Sequence, residues 1–398
     1  MSIFDKFQDI RTRLDALNEL GVVPLGATIE QVFSPTEGVV AGNRVILAGT
    51  NNYLGLTFDP DCIAAAQRAA EEQGTGTTGS RMANGSYAGH VALERELAEF
   101  YGVPEAIVYS TGFFATMGMV GTLAGSGDVI LMDADCHASI YEGTRLSAAE
   151  VIRFRHNDPT DLEKRLRRLG ERASRTLIVV EGIYSMLGDQ APLADLAAVK
   201  REYGGYLMVD EAHSLGVLGD TGRGVAQAAG VEDDVDFTVG TFSKSLGSVG
   251  GFCVSRHAEL DLLRYATRCY IFTASLAPSV IASTRVALGI VARGHGLREQ
   301  LWRNAERLHG GLREAGFKVG PQPGPVVAVE IQRMETALGW WQQLVESGVY
   351  VNMVLPPATP TGACLLRCSL SAAHSDAQID HILATYLELP NHERGVDA

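Results

Sequence analysis

Short apolar runs alternating with helical stretches through the middle of this chain leave it few folds to adopt. Residues 106–109, 129–132, 176–180, 206–209 and 237–239 are each apolar along nearly their whole length, with helical text between them. A strand with one wet face alternates apolar and polar residues, whereas one apolar throughout is buried on both faces. Strands separated by helices run parallel, because the crossover returns the chain to the same end of the sheet. The expectation is therefore an α/β fold with a mostly parallel central sheet and helices on both faces. Beyond Pro278 the pattern changes to a long helix over 280–291, further helices, and strand-like 326–331 and 365–369. At 398 residues the chain exceeds the roughly 250–300 at which single cores stop growing. We divide it into an opening segment 1–58, a large domain 59–275 and a smaller α+β domain 276–398.

The formal net charge of −14 disfavours a nucleic-acid surface, which needs clustered Lys and Arg. A local basic patch can still receive a phosphate-bearing substrate. Six cysteines at irregular spacing show neither a disulfide scaffold nor a paired C-x-x-C metal pattern, so they read as reduced thiols and no metal is expected. The first twenty residues mix Asp5, Lys6, Asp9, Arg11, Arg13 and Asp15 among apolar ones, which a secretory segment does not tolerate. No stretch reaches the roughly 18 apolar residues of a membrane span, and the expected location is the cytoplasm. Phe4, Phe7, Ile10, Leu14 and Leu17 form a stripe at helical spacing. Packing on the body or on a partner subunit is the favoured reading of that stripe, and attachment to a membrane surface the other.

Polar residues just after an apolar strand carry the chemistry of such folds, because ligands bind at the carboxyl ends of the strands. Val239-Gly240-Thr241-Phe242-Ser243-Lys244 ends a strand in a hydroxyl-rich turn around one lysine. A lone lysine is ordinarily a solvated surface residue. Here Thr241 and Ser243 offer donors to a phosphate, Gly247, Gly250 and Gly251 allow close backbone approach, and an amine able to deprotonate makes Schiff bases. The strand at 206–209 delivers Asp210 and, three residues later, His213. That carboxylate suits the pyridinium nitrogen of pyridoxal phosphate (PLP), and the histidine could reach the phenolic oxygen of the same ring. On this strand alone, a helix-capping Asp210 and a merely satisfied His213 are as good a reading. Asp133-Ala134-Asp135-Cys136-His137 places another histidine after a strand, free to lie over an aromatic ring. Tyr109-Ser110-Thr111-Gly112-Phe113 turns a strand into a helix N-terminus, a ready phosphate site, and Thr273-Ala274-Ser275 offers a further hydroxyl. Gly74-x-Gly76-x-x-Gly79 matches the dinucleotide fingerprint, but it follows a helix over 61–73 where that fingerprint must follow a strand. We read it as a substrate-side loop with Ser80 and Arg81 at its exit.

With Gly79–Gly85, Asp133–Ser139, Glu181–Asp189, Val209–Ser214, Gly240–Gly251, Tyr270–Leu276 and Pro356–Pro360 in hand, the chain resembles the α-oxoamine synthases, which are fold-type I PLP enzymes. Within them it is most similar to the soluble bacterial branch that acylates L-serine. The resemblance implies Lys244 as the lysine that carries PLP, Asp210 on the ring nitrogen, His213 on the ring oxygen and His137 on the ring face. It implies Gly112, Phe113, Thr241 and Ser243 around the phosphate, Thr273 and Ala274 reaching the phosphate of a neighbouring subunit in a homodimer, and Glu181 and Ser185 lining the pocket. Arg367 would meet the amino acid carboxylate, with Asn52 and Ser80 also on the substrate side.

The implied reaction is a decarboxylative condensation of a small amino acid, L-serine by preference, with an acyl-CoA thioester. The expected product is a 2-amino ketone of the 3-ketodihydrosphingosine type. Glycine or alanine, or a thioester on an acyl carrier protein, would suit another member of the family. Two departures bear on that choice: Val354-Leu355 stand where serine-using members carry an arginine, and Asn51 replaces an aromatic residue.

Overall fold

The computed structural model describes residues 2–19 and 26–390. Its central sheet has seven strands in the spatial order Glu105–Tyr109, Gly251–Ser255, Phe237–Thr241, Tyr206–Asp210, Thr176–Glu181, Val129–Asp133 and Glu150–Phe154. Val129–Asp133 and Thr176–Glu181 are buried at every position, as continuous apolar text requires of strands covered on both faces. All pairings are parallel except those of Gly251–Ser255, which runs antiparallel to both its neighbours. The sequence does not single out this strand, because the glycines before it read as loop. Its insertion has a structural effect: Gly251 pairs with both Thr241 and Tyr109, so the turns after those two strands meet at one edge.

The carboxyl ends of the other strands open on the same edge. The turns after Asp133, Glu181, Asp210 and Thr241 are thereby brought together from positions more than a hundred residues apart. Helices Gly112–Leu123, Ala138–Leu146 and Leu193–Tyr203 are among those that connect the strands.

Two smaller sheets lie outside the central one. Ile29–Ser34, Glu37–Val40 and Asn43–Leu47 form a meander that ends on Val349–Tyr350, and Val326–Ile331, Cys364–Ser369 and Asn352–Val354 form a three-stranded sheet. The hairpin turn sits at Ala41-Gly42, whose φ values of 50° and 74° are those of a type I′ turn. In the opening helix Gln8–Glu19 and the turn before it, only Leu17 of the apolar stripe joins the core. Phe4, Phe7, Ile10 and Leu14 are exposed, so packing of the whole stripe on the body of its own chain is not observed. All six cysteines are free, and no helix among the described residues is long and apolar enough to cross a membrane.

A buried ionic clasp fixes the turns that follow two of the strands. His156 Nδ1 lies 2.9 Å from Asp133 Oδ1 and its Nε2 2.7 Å from Asp189 Oδ2, with the ring edge-on to Tyr184 at 4.4 Å. Burial works against the imidazolium, but hydrogen bonds to the two carboxylates and their charges outweigh it and push the group up to about 10. A raised histidine stabilises the fold fully below its ordinary value near 6.5, and the contribution is lost as pH rises through about 10. We predict that His156→Ala lowers unfolding free energy by about 3 kcal/mol at neutral pH, because two carboxylates lose their shared cation. In urea titrations the gap from wild type should close above about pH 10. Equal stabilities at pH 7 would show that the clasp contributes nothing.

Candidate active site

Lys244 sits in the turn after Phe237–Thr241, in a cavity of about 260 Å³ that it shares with Asp210, His213, His137, Glu181, Gly112, Phe113, Thr241 and Ser243. Burial lowers its ammonium from 10.5 to about 8, helped by Arg367 and opposed by Asp210 and Glu181. At pH 7 roughly a tenth of such amines is neutral, against about one in three thousand for an ordinary lysine. The side chain is thereby made nucleophilic by its surroundings.

Asp210 ends its strand buried, with Oδ2 accepting from Thr116 Oγ1 at 3.0 Å and Oδ1 from the backbone N–H of Ala212 at 3.0 Å. Both donors orient the carboxylate, and the chain after it continues as a turn, not as a helix that Asp210 could cap. Thr116 comes from the second turn of helix Gly112–Leu123 and is a functional residue that the sequence reading missed. His213 is buried behind Asp210, and its imidazole is held neutral, far below the usual value, by burial and by the charges of Lys244 and Arg367. Its Nδ1 lies 2.7 Å from the hydroxyl of Tyr53.

The phosphate end of the cavity is built from a helix start. Thr111 caps helix Gly112–Leu123 by accepting from Phe114 N at 3.0 Å, which leaves the N–H groups of Gly112 and Phe113 unpaired within the helix. Thr241 Oγ1 and Ser243 Oγ lie 2.8 Å apart beside them. A Cβ on Gly112 would stand 2.6 Å from Thr241 Cβ, and one on Gly251 would stand 2.5 Å from Gly112 Cα, so this cradle exists only with glycine at both positions. At the mouth, His137 caps helix Ala138–Leu146 and packs edge-on to Phe113, with ring centroids 6.4 Å apart. Its backbone N–H donates to Glu181 Oε1. Burial and the nearby Asp210 push the Glu181 carboxyl well above its ordinary value.

Arg367 is buried in strand Cys364–Ser369 of the three-stranded sheet. Its Nε donates to Ser185 O at 2.6 Å and its Nη1 to Ser369 Oγ at 2.7 Å and Asn51 Oδ1 at 3.2 Å. Ser185 thus acts through its backbone on Arg367 and does not line the cavity. Asn52 is buried, donating to Thr57 Oγ1 at 2.7 Å, with its Oδ1 lacking a partner. Ser80, Thr273 and Ala274 lie outside the Lys244 cavity, the last two beside Ser110 and Tyr270. Gly74–Gly79 follows helix Pro60–Gln73 as irregular chain with no helix after it until Ala88–Tyr101, which is no dinucleotide site. Tyr53 and Ser369 are further residues that sequence reasoning missed, and Asn51 entered only as a departure from the family pattern; no spacing rule links positions 51 and 369, and only the folded chain brings them together.

A deep, partly neutral lysine, a carboxylate held ready for a protonated nitrogen and a helix-start cradle with two hydroxyls fit a ligand carrying an aldehyde, a pyridinium and a phosphate. PLP has all three. Among the described residues no group of His, Cys, Asp and Glu is arranged to hold a metal ion.

Residues 43–385 match the model of the aminotransferase class I and II family. A serine palmitoyltransferase of Caulobacter vibrioides is 58% identical over 98% of this chain and 96% of its own length. The solved serine palmitoyltransferase of Sphingomonas wittichii superimposes with a TM-score of 0.95 at 50% identity, covering 97% of this chain and 98% of that one. A further SPT structure, which holds PLP, gives a TM-score of 0.95 at 49% identity over the same shares.

Because only the neutral amine attacks an aldehyde, capture of added PLP by cofactor-stripped protein should speed up as pH rises through about 8 and level off above it. Stopped-flow absorbance across pH 6–10 measures this, and a midpoint near that of free lysine would disprove the desolvation of Lys244.

Proposed function

The chain belongs to the aminotransferase class I and II family, and from that premise we infer that it is a PLP-dependent acyltransferase. It condenses L-serine with an acyl-CoA thioester, releasing CoA and carbon dioxide and giving an amino ketone of the 3-ketodihydrosphingosine type. One observation carries the reading: Lys244, Asp210 and the Gly112–Thr241 cradle share one cavity, in a chain similar along nearly its whole length to serine palmitoyltransferases. When bound, PLP supplies an aldehyde for the amino acid and a ring that accepts the electron pair left at Cα.

The remaining work falls to the chain. The N–H groups of Gly112 and Phe113 and the hydroxyls of Thr241 and Ser243 hold the phosphate. Asp210, aimed by Thr116 and Ala212, holds a proton on the pyridine nitrogen. His137 covers the ring face, and His213 meets the ring oxygen. Lys244 Nζ would take the proton from Cα, a task suited to a group near 8. Arg367 would grip the amino acid carboxylate through charge-assisted hydrogen bonds and so orient the amino acid. Asn52, with its unpartnered carbonyl oxygen, would complete the substrate side, while Ser80, outside this cavity, rests on the family resemblance alone.

The reading extends to a homodimer in which Thr273 and Ala274 reach the partner's phosphate. Supporting it, Phe113, Tyr265 and Phe272 leave large apolar surfaces exposed around these segments. It also places the enzyme in the cytoplasm and the division of domains at 58/59 and 275/276. A second reading, glycine or alanine as the amino acid, is favoured by Leu355, which packs against the apolar core and adds no charge to the carboxylate site.

Titrating the holoprotein with L-serine, L-alanine and glycine while following its visible band decides between the two. L-serine should act at the lowest concentration, and a response to glycine or alanine alone would replace the first reading with the second. Lys244→Ala should abolish the visible band and reduce turnover at least about 10²-fold. Asp210→Asn should keep the cofactor yet slow deuterium exchange at Cα; exchange at the wild-type rate would refute its role.

A further inference from the structure

His213 can serve the cofactor ring in two opposite ways, since a neutral imidazole carries its proton on one nitrogen only. Its Nδ1 is taken by Tyr53 Oη at 2.7 Å, so Nε2 is the nitrogen left for the cavity that His213 lines. Whether Nε2 is a donor or a lone pair depends on where the single phenolic proton of Tyr53 goes. Tyr53 has 0% exposure, so water cannot take it.

Two acceptors remain, His213 Nδ1 at 2.7 Å and Asn51 Oδ1 at 3.2 Å. The amide oxygen has two lone pairs. One receives Arg367 Nη1 at 3.2 Å and the other Ser369 Oγ at 3.1 Å, and that hydroxyl in turn accepts from Arg367 at 2.7 Å. Asn51 is therefore saturated, and 3.2 Å is long for an O–H···O bond. The phenolic proton belongs to Nδ1.

We propose that Tyr53 is a positioning residue which, by donating to Nδ1, holds His213 as the Nε2–H tautomer and so presents a donor to the ring oxygen of PLP. The inference rests on the reading above that His213 faces that oxygen, and deepens it. A phenolate oxygen is stabilised by a donor and repelled by a lone pair, so the wrong tautomer would weaken the electron-accepting ring. Arg367 and Ser369 belong to the same unit, because they occupy Asn51 Oδ1, the acceptor that would otherwise draw the proton away. Neutrality of His213 follows from its burial and the charges of Lys244 and Arg367.

The test is long-range ¹H–¹⁵N correlation on holoenzyme labelled with ¹⁵N-histidine, with the His213 signals identified by their loss in His213→Asn. Wild type should show the Nε2–H pattern alone, and an Nδ1–H pattern overturns the proposal without any variant. Tyr53→Phe should lose the single pattern and show both tautomers; an unchanged pattern overturns the proposal. Asn51→Ala, which removes the rival acceptor, should leave the Nε2–H pattern in place, and a switch to Nδ1–H overturns the lone-pair count. Borohydride tagging of the peptide that contains position 244, on the same wild-type sample, separates two failures. Tagging with the wrong tautomer defeats this inference alone, whereas absence of tagging defeats the PLP reading and this inference with it.

Discussion

A strand buried on both faces has one place where a charged side chain can sit without facing hydrocarbon, and that place is its end. Five such strands here run the same way, so their polar ends must share one rim of the sheet, and everything catalytic in the chain follows from that crowding. Lys244 loses its hydration there, Asp210 is aimed there, and helix Gly112–Leu123 starts there with its amide hydrogens unpaired. The antiparallel strand Gly251–Ser255 completes the arrangement by holding the Tyr109 and Thr241 turns against each other.

The electrostatics of this rim are those of a site short of solvent. Burial drives each ionisable group toward its neutral form, and neighbouring charges decide how far it goes. Lys244 stops at about 8 because Asp210 opposes the loss of its proton. Burial and Asp210 raise Glu181 by more than the His137 backbone N–H and the charge of Lys244 lower it, and its Oε1 accepts from that N–H. His213 lies among cations and stays neutral. One strand edge therefore yields an amine, an acid and an imidazole in three distinct states, each usable in a different task.

The sequence made most of the central sheet readable because five of its strands are continuous apolar runs and because the residues that follow them are few and chemically distinctive. Lys244, Asp210, His213, His137 and the Gly112 turn all fall within a few residues of a strand end, and the fold brings them into one cavity. Gly251–Ser255 was hidden by the glycines before it: Gly247 and Gly250 lie in irregular chain, and only Gly251, where the strand begins, makes the close approach to Gly112. Thr116 and Tyr53 were hidden for another reason. A threonine inside a helix and a tyrosine in an irregular segment have no periodic signature, and their hydrogen bonds reach across 94 and 160 positions of sequence. Leu17 alone among the stripe residues found the core, since amphipathic spacing specifies a face but not what covers it.

The grip on Arg367 joins positions 316 and 318 residues apart, Asn51 meeting first the guanidinium and then Ser369. Ile46 and Leu47 likewise pair in parallel with Val349 and Tyr350. On the ribosome the early partners of these contacts must wait while about three hundred residues are added, and closing so long a loop is slow in a free chain as well. The sheet that carries Lys244 closes earlier, with Ser255. The strands around Lys244 are thus all synthesised well before the strand that carries Arg367.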